Sequence, residues 1–210
     1  MAKAEPAAGA ALIEKAAQLL GVVLGITYPL LLWYGLLHWP SQQVEALVLA
    51  TLVVAAWLRL RKVGKELRRS VAAAPLAAIA LAALALALDD PRLVLALPAL
   101  VNAMFFLSFL ASLRGVPMVE RYARLVKPEL QPAEVRYCRS VTLVWCGFFV
   151  ANGVAAAVLA AWASYDTWAL FTGILSYAAM GLLFAVEYAV RTVRFGRHAP
   201  APLASDAIRP

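Results

Sequence analysis

Residues 141–163 read VTLVWCGFFVANGVAAAVLAAWA and contain no charged side chain. An α-helix needs about 20 mostly apolar residues to cross the hydrocarbon core of a bilayer. The rest of the chain is similar, because 64% of its 210 residues are hydrophobic and only 15% are charged. A soluble domain averages about 45–50% apolar and about 25% charged residues, and its core could not bury this much apolar surface. We therefore predict an all-α, polytopic membrane protein.

Six apolar stretches predict six transmembrane helices. Their approximate bounds are 16–37, 44–58, 71–88, 93–113, 141–163 and 169–190, with a cytoplasmic leader at 1–15 and a tail at 191–210. The first stretch is too long for the core of a cleavable signal, so we expect it to be retained. The Pro- and Ala-rich tail is expected to be disordered.

The basic residues predict the orientation. Of the 19 Lys and Arg residues, only Arg92 falls in a connection that six spans would place outside the cell. Cytoplasmic loops of membrane proteins collect Lys and Arg, so both termini are expected in the cytoplasm. The net charge of +7 is then a sign of orientation, and we expect no nucleic-acid partner.

Polar residues inside the predicted spans are few. Asn102 and Asn152 fall near mid-bilayer on two consecutive, antiparallel spans, so we predict that their side chains hydrogen-bond and hold these helices together. The alternative is a polar site on a substrate path. In a lipid-handling protein, both would line a cavity with Ser108, Ser176 and Tyr177, whereas in a scaffold these groups would satisfy one another.

Glu187 is interpreted as the only acidic residue inside a span, with Arg191 four residues later. This spacing favours an ion pair at the membrane boundary, and a ligand or partner contact is the alternative. The two cysteines, Cys138 and Cys146, are expected to be buried thiols that act as small apolar residues.

Small residues recur four apart on three spans, a spacing that favours close helix packing. They lie at 21/25, 147/151 and 181/185/189. Packing within the chain and dimerisation of two copies both fit this pattern, so it leaves the oligomeric state open.

The connection from 114 to 140 contains apolar residues at helical spacing. The basic residues between them are Arg121, Arg124 and Lys127. We predict a short amphipathic helix in the cytoplasmic headgroup layer, with its basic groups toward anionic lipid. Pro128 should end this helix, and Pro132 should begin the next. A solvated basic loop and a docking surface for a cytoplasmic partner are the alternatives.

The sequence lacks the motifs of catalysis. His38 and His198 are far apart, and there is no HExxH, glycine-rich phosphate loop or acidic metal cluster. We therefore expect no enzymatic activity, metal or cofactor. The scarcity of charge inside the spans also argues against an ion-coupled transporter.

Several segments resemble the intracellular septation protein A family of bacterial inner-membrane proteins. They are Tyr28–Tyr34, the basic loop Arg59–Lys65, Pro117–Arg121, Leu143–Gly153 and Trp168. The resemblance spans about residues 28–195 and is diffuse. The chain departs from the family in its leader, its Ala-rich third span and its Pro-rich tail.

This resemblance implies an inner-membrane protein of cell-envelope maintenance or septation that acts through contacts with other envelope or division membrane proteins. It supplies no catalytic residues. The block from Val119 to Arg139 resembles more closely an uncharacterised subgroup encoded among aryl-polyene and fatty-acid-like lipid biosynthesis genes. That subgroup implies an alternative role as an accessory component that handles or transports a lipid-like product. Trp145, Phe148, Phe149 and Asn152 fit either core packing or a partner surface.

Overall fold

The computed structural model describes the backbone of residues 28–60 and 65–196, and the side chains of residues 28–58 and 75–196. The regular elements of this part of the chain are all helices. They are α1 (residues 28–38), α2 (Ser41–Leu60), α3 (Lys65–Leu88), α4 (Arg92–Leu95), α5 (Leu97–Ser112), α6 (Met118–Val126), α7 (Pro132–Trp162), α8 (Tyr165–Leu170), a π-helical turn (Phe171–Leu175) and α9 (Ser176–Phe195).

Four helical segments in the described part are long and apolar enough to cross a membrane. They are Ser41–Leu58, Arg92–Ser112, Pro132–Trp162 and Tyr165–Phe195. The apolar stretch Pro75–Leu88 in α3 is shorter. The predicted leader, most of the first span and most of the tail lie outside the described residues, so six crossings stay a prediction.

The chain runs back and forth between two ends of a helix bundle. Hydrogen bonds join the connections at 39–40, 89–91 and 163–164, which together form what we call the short-turn end. These bonds are Ser41 Oγ to Asp89 Oδ1 at 2.9 Å, Arg92 Nη1 to the Ala161 carbonyl, and Trp33 Nε1 to Asp166 Oδ1. At the opposite, basic end, Arg139 Nη1 donates to the Leu113 carbonyl at 2.9 Å and links the start of α7 to the end of α5.

The outer surface of the bundle is apolar. Large aliphatic side chains such as Leu47, Leu107, Val154 and Leu182 are exposed. Exposed apolar surface on this scale is unfavourable in water and favourable against lipid tails, whose polarity matches that of leucine. The apolar helices and their apolar surface are those of an α-helical membrane protein.

Pro98 explains the break between α4 and α5. Proline lacks an N–H, so the carbonyl four residues earlier, on Val94, loses its helical donor. The Tyr28 hydroxyl replaces that donor at 3.1 Å, and Trp168 Nε1 donates to the next carbonyl, on Leu95, at 3.0 Å. Inside a bilayer such carbonyls must be satisfied by the protein itself, so these two bonds attach α1 and α8 to the break.

The π-helical turn Phe171–Leu175 rotates the second half of the last span. In an uninterrupted α-helix, residues eight apart would lie about 80° apart around the axis. The extra residue of a π-turn shifts that angle by about 100°, which brings Trp168 and Ser176 onto nearly the same face. The turn therefore allows one helix to contact Leu95 near one end and Asn152 further along.

Two buried clusters form the core. At the short-turn end the fully buried Trp168 packs with Leu32, Val44, Val94 and other apolar residues. Toward the basic end, Trp145 and Phe149 are buried with Val141 and pack against Phe148. Trp145, Phe148 and Phe149, for which the sequence allowed core packing or a partner surface, therefore take part in the core. Cys138 and Cys146 are buried free thiols, as predicted.

Candidate functional site

Asn102, Asn152 and Ser176 meet inside the bundle and form what we call the amide cluster. Asn152 Nδ2 donates to Asn102 Oδ1 at 3.2 Å, and Ser176 Oγ donates to Asn152 Oδ1 at 2.8 Å. Asn102 Nδ2 in turn donates to the Pro98 carbonyl at 2.8 Å. The predicted hydrogen bond between the two amides is confirmed, and it extends to a third helix.

Gly153 allows α5 and α7 to approach closely enough for this contact. A Cβ atom built on Gly153 would lie 2.9 Å from the Cβ of Asn102 and 3.7 Å from the Ala99 carbonyl oxygen. In contrast, a Cβ on Gly147 or Gly181 would meet no atom of the described residues within 4 Å. The small residues that the four-residue spacing singled out at 147 and 181 therefore do not mediate this packing, whereas Gly153, outside that pattern, does.

Ser108 and Tyr177 do not join the amide cluster. Ser108 follows Asn102 by six residues, which places it about 240° around the helix axis, and its exposed hydroxyl donates to the Met104 carbonyl of its own helix at 2.8 Å. Tyr177 lies about 100° around α9 from Ser176 and is 37% exposed. Of the five residues predicted to share a polar site, the structure brings three together.

The predicted ion pair at the end of the last span is confirmed. Arg191 Nε lies 3.2 Å from Glu187 Oε1, and the Tyr137 hydroxyl donates to the Glu187 carbonyl at 3.2 Å. The ion pair lies within α9, and the Tyr137 hydrogen bond ties α9 to the first turns of α7 at the basic end.

An open groove of about 620 Å³ runs between α7 and α9 beside this ion pair. We call it the α7–α9 groove. Its lining comprises Ala133, Arg136, Tyr137, Ser140, Val141, Val144, Leu183, Val186, Glu187, Val190, Arg194 and Phe195. Binding sites for small molecules usually measure about 300–1,000 Å³, so its size fits a ligand. No residue of the amide cluster lines it.

Glu45 is an acidic residue that the sequence analysis overlooked. It lies within the predicted span 44–58, so the statement that Glu187 is the only acidic residue inside a span is wrong. The side chain is 0% exposed, and neither carboxyl oxygen has a hydrogen-bond partner among the residues that the structure describes. The sequence signal was simply the acid inside an apolar run, which by itself indicates a functional candidate.

Asp89 and Asp90 lie near Glu45 at the short-turn end. Their side chains are already used, because Asp89 accepts from Ser41 at 2.9 Å and Asp90 accepts from the Arg92 backbone N–H at 3.0 Å. Within residues 28–60 and 65–196 no three acidic, His or Cys side chains are arranged to hold a metal ion. The Glu45 carboxyl offers a buried acceptor for a proton or for a hydrogen-bond donor.

The basic side chains of helix α6 are bonded to other groups of the protein. Arg124 Nη2 lies 2.7 Å from Oε1 of the buried Glu120, and Lys127 Nζ lies 2.9 Å from Glu134 Oε1. Arg121 is exposed, and its Nε donates to a backbone carbonyl of the preceding loop. Two of the three basic residues predicted to face lipid are therefore paired with carboxylates of the protein. The Glu120–Arg124 spacing within one helix was visible in the sequence but was not used, whereas the pairing of Lys127 could not be read from it because Glu134 belongs to the next helix.

The apolar side of α6 points outward. Leu125 and Val126 are 81% and 84% exposed, and Tyr122 is exposed as well. The helix is held to α7 on its other side, where the Val119 backbone N–H donates to Thr142 Oγ1 at 3.4 Å. The arrangement presents an apolar strip next to the basic end of the bundle.

The fold is that of an α-helical membrane protein, with at least four apolar helices long enough to span a bilayer. A comparison with protein-family models found no match to the chain. Comparisons with curated proteins and with solved structures found no match either.

Proposed function

We propose that this protein is a non-enzymatic, six-span protein of the bacterial inner membrane that packs with or scaffolds other components of the cell envelope. The observation that carries the proposal is the amide cluster. Its three side chains satisfy one another across α5, α7 and α9, and a substrate path through the bundle would need polar groups free to bind a passing molecule.

The orientation belongs to the same proposal. Lysine and arginine are sorted so that both termini, the basic loop after α2 and helix α6 lie in the cytoplasm. In this orientation α6 rests at the inner surface of the membrane, with Tyr122, Leu125 and Val126 in the lipid. The resemblance to the septation protein A family supports an envelope role, and the exposed apolar faces of the spans are available to membrane partners.

A second candidate function is an accessory role in handling a lipid-like product. The observation that favours it is the α7–α9 groove, which combines an apolar wall with charged residues at one end. The cavity that the sequence analysis associated with this role would instead have been lined by Asn102 and Asn152.

Deletion of the gene distinguishes the two candidates. Longer cells or a leaky envelope, with unchanged lipid and pigment extracts, support the scaffold. Loss of a lipid or pigment with normal cell length supports the accessory role and overturns the scaffold. Complementation with Asn152→Leu should fail if the closed amide cluster matters, whereas the matched control Ser108→Ala should complement fully.

Reporter fusions test the topology. A phosphatase, active only outside the cytoplasm, and a fluorescent protein, active inside it, are fused in turn to each terminus. Cytoplasmic signals at both ends are expected. Signals on opposite sides would overturn the six-span arrangement and the placement of α6.

A further inference from the structure

We propose that the α7–α9 groove binds an anionic phospholipid of the adjoining leaflet, with one acyl chain along its apolar part and the phosphate group at Arg136 and Arg194. This site is separate from the amide cluster, and the inference goes beyond the scaffold role.

The apolar part of the groove suits an acyl chain. Its walls are Val141 and Val144 on α7 and Leu183, Val186 and Val190 on α9. Both helices are long and apolar enough to span a bilayer, so the groove between them opens sideways into the hydrocarbon. From Ala133 to Val144 it extends about 16 Å along α7, parallel to the chains of the surrounding lipid.

The polar end of the groove carries net positive charge. Arg136 and Arg194 line it, and in the described part of the chain neither forms an ion pair. The Arg194 guanidinium carbon lies over the Tyr137 ring, 6.0 Å from its centre, so the Arg194 side chain reaches from α9 to the residue that follows Arg136 on α7. The one acidic residue of the lining, Glu187, is already paired with Arg191.

The two arginines at the polar end of the groove favour a ligand with a phosphate group. Guanidinium groups form paired, charge-assisted hydrogen bonds with phosphate oxygens, and the headgroup layer is where a helix end of this kind meets phosphates. An acyl chain with an anionic headgroup therefore matches both ends of the groove. A second copy of the chain fits poorly, because a symmetric contact would bring Arg136 and Arg194 against the same residues of the partner.

The test measures lipid bound to the purified full-length protein by native mass spectrometry. Micelles are titrated with phosphatidylglycerol or, for comparison, with phosphatidylcholine of the same chain length. The charge variant is Arg136→Gln/Arg194→Gln. Its matched control is Arg114→Gln/Arg121→Gln, which removes the same net charge from two exposed arginines outside the groove.

A second pair of variants tests the apolar part. Val186→Trp fills the groove, whereas Val154→Trp adds the same bulk at an exposed position of α7 that does not line it. Both positions face outward, so neither substitution disturbs the core. Thermal unfolding of each variant verifies that the fold is kept.

The wild-type protein should retain phosphatidylglycerol more strongly than phosphatidylcholine. Arg136→Gln/Arg194→Gln should weaken phosphatidylglycerol binding at least about tenfold, as expected for the loss of charge-assisted hydrogen bonds. Val186→Trp should abolish binding, and both controls should bind as the wild type does.

Equal weakening by the two arginine pairs would indicate bulk charge alone and would overturn the site. Equal retention of both lipids would do the same. A wild-type protein that forms a dimer without bound lipid, and loses that dimer on Val186→Trp, would also overturn the site. Because binding is measured on purified protein and the scaffold role by complementation, the two proposals fail separately.

Discussion

Substitution of Gly153 by alanine tests whether the close approach of α5 and α7 stabilises the bundle. The control is on the same helix, because Gly147→Ala adds the same methyl group where no atom of the described part of the chain lies within 4 Å. Alanine is the better helix former, so the control should stabilise the protein by about 0.4–1 kcal/mol. The sign at Gly153 depends on what the new methyl group meets.

At Gly153 the new Cβ would lie 2.9 Å from the Asn102 Cβ, against about 3.5–4.0 Å for carbon atoms at their best separation. Both atoms are fixed to helix backbones, so the helices must separate by about 0.6 Å to restore contact. The hydrogen bond between Asn152 and Asn102, now 3.2 Å, would then lengthen to about 3.8 Å, beyond hydrogen-bond range.

Overpacking costs about 1–3 kcal/mol, and the lost hydrogen bond adds about 0.6 kcal/mol. Both effects oppose the gain in helix propensity, so Gly153→Ala should destabilise the protein by about 1–3 kcal/mol. The assay is reversible unfolding by sodium dodecyl sulfate in mixed micelles, followed by circular dichroism. If Gly153→Ala is as stable as Gly147→Ala, the helices are not in close contact and the reasoning is refuted.

Three further changes can be measured in the same assay. Asn152→Ala removes both of its hydrogen bonds in the amide cluster and should destabilise by about 1–3 kcal/mol, whereas Ser108→Ala should stay within about 0.5 kcal/mol of wild type; equal losses would contradict the cluster. Tyr28→Phe leaves the Val94 carbonyl at the proline break without its donor and should cost about 1–2 kcal/mol, and an unchanged stability would show that another donor replaces it. Glu45→Met replaces a buried carboxyl, which has no hydrogen-bond partner in the described part of the chain, with an apolar side chain of similar shape and should stabilise by about 1–3 kcal/mol; a clear loss of stability would show that the Glu45 carboxyl has a partner.

The contact between Asn102 and Asn152 could be predicted because it depends on depth. Each residue's distance from the ends of its span follows from counting residues, and two polar groups at the same depth on neighbouring helices are drawn together. Counting also gave the Glu187–Arg191 pair, since both residues belong to one helix. Counting residues could not show whether Ser108 belongs to the amide cluster, because the direction of its side chain depends on the rotation of the helix about its axis.

Glu45 shows a different kind of failure. The sequence places this acid within a predicted span, but the burial of its carboxyl without a hydrogen-bond partner among the described residues depends on how the helices pack. The pairing of Lys127 with Glu134 likewise needed the geometry of two helices on either side of a proline-containing loop.

Composition and the sorting of charges determined that this is a helical membrane protein and where its apolar stretches lie. The rotation of each helix, the role of Gly153, the π-helical turn and the α7–α9 groove were decided only by the tertiary structure. The physical reason is that lipid is as apolar as the protein interior. A spanning helix therefore needs no polar face opposite its packing face, and its sequence does not tell which side meets another helix.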